Sequence, residues 1–142
     1  MKNLLAIIFV IFVIALVTSA QALAQEPEWK QWDEWDRETK SYAPIDSTVE
    51  SRRDVLIAKA VLNPDLPPFI LVHRTASDYC GSAGCSLEIL APESAQGGKY
   101  VPFQQWIADS IEIKNQQLFN GWHPIVLGNN TWVYENGQYI LR

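Results

Sequence analysis

Apolar positions along this chain fall into short runs punctuated by turn residues, with one long exception at the start. Residues 4–17 are unbroken apolar sequence behind Met1-Lys2-Asn3, and Ala22-Leu23-Ala24 supplies the small-x-small pattern of a processing site. The run is shorter than the roughly 20 residues a helix needs to span a bilayer. Residues 1–24 therefore read as an export signal that is removed, leaving Gln25 as the first mature residue and no stable membrane insertion.

The internal runs predict the fold. Ser47-Thr48-Val49-Glu50 matches a capping box, and it predicts a helix through Val55-Leu56-Ile57-Ala58-Lys59-Ala60-Val61-Leu62. Apart from Lys59 the second half of that helix is apolar on nearly all sides, which reads as deep burial. Asn63-Pro64 ends it, because the residue before proline is pushed out of the helical region. Phe69-Ile70-Leu71-Val72-His73 then reads as a central strand. Residues 100–107 form an edge or irregular strand because of Pro102, and residues 110–114 alternate with Ile111 and Ile113 facing inward. Asn120-Gly121 and Gly128-Asn129-Asn130 mark turns around a strand over residues 122–127. Asn136-Gly137 is a strong hairpin signal between 131–134 and 138–141. The expected fold is α+β: one buried N-terminal helix packed on an antiparallel β-meander that contains a stapled hairpin.

Residues 25–46 differ from the rest and read as a Trp-rich acidic arm and linker, leaving 47–142 as a single domain. Trp29, Trp32 and Trp35 recur every three residues among Glu28, Asp33, Glu34 and Asp36, a spacing that keeps the indoles on one side of a helical or 3₁₀ turn. Either they cover an open face of the domain, or they stay exposed as a candidate partner-binding stripe. Tryptophan is enriched in interface hot spots, whereas contiguous exposed apolar patches are rare on soluble monomers. The net charge of −5 becomes more negative once Lys2 is removed. An acidic chain without a basic stripe argues against nucleic acid as a partner.

Cys80 and Cys85 are the only two cysteines, and export puts them where disulfides persist. Read as a disulfide, they staple a hairpin across Gly81-Ser82-Ala83-Gly84, add about 2 kcal/mol by loop closure, and fix the register. Read as a redox pair, they lack the usual Cys-x-x-Cys spacing. Read as zinc ligands, they would need His73 and His123, which with them make up every His and Cys in the chain. Ser82 sits in Cys80-Gly81-Ser82-Ala83-Gly84, a near miss of a nucleophile elbow, but cysteine replaces the first glycine and a strand follows instead of a helix. Asp33, Glu34 and Asp36 make no Asp-x-Asp-x-Asp-Gly loop. Asp109 and Glu112 are not a working carboxylate pair, because the alternation turns Glu112 to solvent. Asn129-Asn130-Thr131 fits the glycosylation pattern.

The order of capped helix, apolar strand, Cys80-Gly81-x-x-Gly84-Cys85-Ser86-Leu87, Gly121-Trp122, Trp132, Asn136-Gly137 and Tyr139 resembles small exported bacterial proteins of uncharacterised function. These carry a Cys-Gly-x-x-Gly-Cys-[Ser/Thr]-Leu hairpin. The resemblance covers residues 50–142 and implies a bacterial periplasmic context and no activity. Where many members have an Asn-Gly-Asp-Gly-like segment, this chain has Asn63-Pro64-Asp65-Leu66, so no cation site carries over. The expected function is a non-enzymatic periplasmic or secreted binding domain without cofactor or metal, facing an envelope or extracellular protein such as a hydrolase it inhibits. The competing classes are a thiol–disulfide redox protein or small enzyme using Cys80 and Cys85, and a structural subunit of an envelope assembly.

Overall fold

Val55 to Ala60 form a strand, and this overturns the expected α+β architecture. The computed structural model describes residues 25–31, 54–96 and 99–142, and among them there is no α-helix, only extended strands, turns and short 3₁₀ stretches such as Ser77–Tyr79. The fold is antiparallel β throughout the described residues. The capping box at 47–50, the export signal at 1–24, the linker at 41–46, Trp32 and Trp35 lie outside the described residues.

The reason for the correction is physical. A strand buried on both faces and a helix buried all round have the same apolar composition, and only partners tell them apart. Here β1 (Lys30–Gln31) pairs with one edge of β2 (Val55–Ala60), and β3 (Phe69–Arg74) pairs with the other. Val55 and Ile57 enter the layer on one face, while Ala58 and Ala60 enter the core on the other; Lys59 reaches solvent. The Asn63-Pro64 break is a hairpin turn. The Asp65 N–H donates to Asn63 Oδ1 at 2.8 Å and the Leu66 N–H to the Asn63 carbonyl at 3.2 Å, which brings Phe69 back opposite Ala60.

Past β3 come β4 (Cys80–Gly81), β5 (Gly84–Pro92) and β6 (Tyr100–Ala108). The first sheet runs β1-β2-β3-β5, with β6 on the far edge of β5. Arg74 pairs with Ser86 and Cys80 with Cys85, so β4 resumes the line of β3 along β5 after the 3₁₀ turn. Pro102 falls where the β5–β6 register shifts, between Ile89 and Leu90, as expected of a residue that cannot donate to a ladder. The second sheet is a meander of β7 (Ile111–Ile113), β8 (Ile125–Leu127), β9 (Asn130–Glu135) and β10 (Gln138–Leu141). Asn136 (φ 51°) and Gly137 (φ 89°) make the two-residue link between β9 and β10, the left-handed pair that such a hairpin demands.

The two sheets enclose one core. Leu71, Leu87 and Ile89 of the first pack with Ile111, Ile125 and Tyr139 of the second. The sides between the sheets are tied by specific polar links. Gln25 and Ile113 exchange two backbone hydrogen bonds of 3.1 Å, and the His123 N–H donates to the Leu62 carbonyl at 2.8 Å. On the other side the Gln104 side-chain amide stands in for a peptide group. Its Nε2 donates to the Tyr139 carbonyl at 2.9 Å, and its Oε1 accepts from the Tyr139 N–H at 2.8 Å. The outer face of the first sheet is also buried at Val55, Ile57, Ile70, Val72 and Leu90, with Tyr100 packed against them. Arg74 and Glu88 form a 3.0 Å ion pair with side chains only 11% and 16% exposed.

Candidate functional site

The stapled hairpin is where sequence chemistry and tertiary structure meet. Cys80 and Cys85 are disulfide-bonded, with Cα atoms 3.9 Å apart and directly opposed across the β4–β5 ladder. Bonds of this kind form and persist mainly in oxidising environments. With both sulfurs joined, the four-ligand set of His73, His123 and two thiols is not assembled. Among the described residues no group of three or more His, Cys, Asp or Glu side chains gathers. Ser82 is exposed at the tip between two strands, with no helix behind it.

Gly84 gives the hairpin its position. It is buried at φ +113°, and a Cβ there would lie 2.5 Å from the Ala108 carbonyl carbon and 2.6 Å from the Asp109 nitrogen. Only glycine lets the two backbones approach so closely. The staple therefore fixes β5 while Gly84 and the Cys85–Ala108 pairing press it against the end of β6. The result is a fixed placement for Trp106, Ala108 and Asp109.

Across from them stands the turn between β8 and β9, where Leu127 pairs with Asn130 and Gly128 has φ 58°. Between hairpin tip, β6 end and this turn lies a cleft of about 380 Å³, within the size range of small-molecule sites. Trp106 from the first sheet and Trp132 from the second wall it, with ring centroids 5.6 Å apart and planes at 71°. Asp109, Asn129 and Asn130 are exposed at its rim. Trp132 Nε1 is buried with no hydrogen-bond partner, although a buried indole N–H usually finds one.

Behind the cleft, His73 is 8% exposed and tilts against the Trp29 indole at a centroid distance of 5.6 Å. Burial lowers its pKa, opposed by a hydrogen bond to the Ala108 backbone and by the charge of Asp109. Its Nε2 is buried with no hydrogen-bond partner. A second concavity of about 450 Å³ lies beside Gln25–Glu28, Lys59 and His123, but no tryptophan, tyrosine or phenylalanine lines it.

Trp29 packs against the core and directly precedes β1, which is a strand, so the helical or 3₁₀ spacing expected of the stripe does not continue into Lys30–Gln31. The cleft is not legible in the sequence because its walls come from residues 83, 106–109, 127–130 and 132, separated in the chain and joined by sheet register. The available signal was Trp106 and Trp132 beside polar turn residues. Trp122 and Tyr134, stacked at 3.8 Å, belong to the core margin instead. No family model, no curated protein and no solved structure matches this chain.

Proposed function

We propose that this chain is an exported, periplasmic or secreted binding domain that holds its ligand in the cleft walled by Trp106 and Trp132 without transforming it. The observation that carries the reading is the crossing of two partly buried indoles, one from each sheet, at the mouth of a cleft rimmed by Asp109, Asn129 and Asn130. Aromatic walls with a few convergent polar groups are the ordinary composition of a ligand site. Support for the compartment comes from the disulfide, the apolar leader at residues 4–17, and the resemblance to small exported bacterial proteins. The partner is then a component of the envelope or the extracellular medium.

The test is backbone and indole NMR shift mapping with a chemically diverse fragment set. Shifts that saturate and cluster on Trp106, Ala108, Asp109, Asn129, Asn130 and Trp132 are expected. Saturable hits that cluster only elsewhere, or none at all, overturn the reading.

A further inference from the structure

We infer that the ligand of the Trp106–Trp132 cleft is a neutral saccharide. The inference rests on the binding reading above and adds the ligand class to it.

The composition of the cleft selects by exclusion first. Neither Lys nor Arg lines it, and the carboxylate of Asp109 stands at the rim. An anionic ligand finds no counter-charge there and meets a like charge, in a chain whose net charge is already −5. A purely hydrocarbon ligand fits the indoles but covers Asp109, Asn129 and Asn130 without replacing their water, which leaves each of these groups unpaired.

A pyranose matches what is left. Its C–H face is apolar and suits the electron-rich face of an indole, and its hydroxyls lie around the ring edge. Asn129 and Asn130 each present a carbonyl acceptor and an amide donor in one plane, and Asp109 presents two acceptor oxygens. Neighbouring hydroxyls, which both donate and accept, pair with such groups. The two indoles at 71° offer one face for stacking and a second surface across the ring edge.

The experiment titrates the purified chain with cellotetraose, maltotetraose and the tetramer of N-acetylglucosamine, followed by NMR shifts and tryptophan fluorescence. At least one of the three is expected to give saturable shifts at Trp106, Asp109, Asn129, Asn130 and Trp132. Trp106→Ala should weaken that binding at least tenfold. Because Trp106 also packs on the core, Asn130→Ala, at an exposed rim position, is the second variant and should weaken binding several-fold with an unchanged melting temperature. If fragments from the diverse set shift the cleft and none of the saccharides does, the saccharide inference falls and the binding reading stands. If nothing shifts the cleft, both fall. Saccharide shifts confined to another surface, or unaffected by both variants, also overturn the inference.

Discussion

Gln104→Met tests whether one side-chain amide closes the two sheets on each other. Tyr139 pairs with Tyr134 in the β9–β10 ladder, but its N–H and C=O face away from β9, toward Gln104. Tyr139 is 1% exposed, so water does not readily replace a lost partner. Methionine keeps the length and approximate volume of glutamine, so packing changes little. What is lost is both hydrogen bonds at once, leaving two backbone groups unpaired at about 1–3 kcal/mol each. Allowing partial rehydration from the half-buried Gln104 side, the net loss should be about 2–4 kcal/mol, a large share of the 5–15 kcal/mol typical of a domain. Urea unfolding reads it as a lower midpoint at an unchanged slope, and hydrogen exchange reads it as lost protection of the Tyr139 amide. Gln104→Glu sharpens the test. Its carboxylate still accepts from the Tyr139 N–H but turns an oxygen toward the Tyr139 carbonyl. Protonation restores a donor and the facing carbonyl raises the folded-state pKa, so the deficit of this variant should narrow as pH falls toward about 4.3 and be fully narrowed below it. A Gln104→Met protein within 0.5 kcal/mol of wild type, with the Tyr139 amide still protected, would refute the reasoning.

Three further outcomes follow from buried groups. Gly84→Ala should destabilise by about 3 kcal/mol or more, since it combines a left-handed φ with a backbone clash at Ala108 and Asp109; calorimetry that finds a melting temperature within two degrees of wild type would contradict the close packing. Burial, and secondarily Tyr134, raise the Tyr139 pKa well above its ordinary value, and its hydroxyl donates to the His123 carbonyl at 2.8 Å. The unfolded chain then releases this proton first, so the contribution is full below about pH 10 and declines above it. Tyr139→Phe should lower stability by about 1–2 kcal/mol at neutral pH and flatten the alkaline decline. For His73 the sign is opposite. Burial lowers its pKa, so the unfolded chain takes up the proton first, and stability is lost as pH falls below about 6.5. His73→Gln should reduce that acid slope, and an unchanged slope in urea melts between pH 7 and 5 would count against it.

How much of this protein was legible in its sequence depends on the range of the interactions involved. Asn136-Gly137 specified its hairpin alone, because two adjacent left-handed residues are a local requirement that few pairs meet. Cys80 and Cys85 had only each other to pair with, and their spacing already described a hairpin tip. The inward alternation of Ile111 and Ile113 was equally local. Residues 55–62 were different. Their composition says burial, and burial is shared by a helix in a core and a strand inside a sheet. Only β1 and β3 on either edge made the choice, and neither is readable from the run itself. The cleft lies further out of reach. Trp106 and Trp132 meet through the register of two different sheets, and Asp109 is placed by the missing side chain of Gly84, 25 positions before it in the chain. Local rules settled the turns and the staple. The partners of each strand, and the cleft between them, were decided only when backbone hydrogen bonds and buried surface were satisfied across the whole fold.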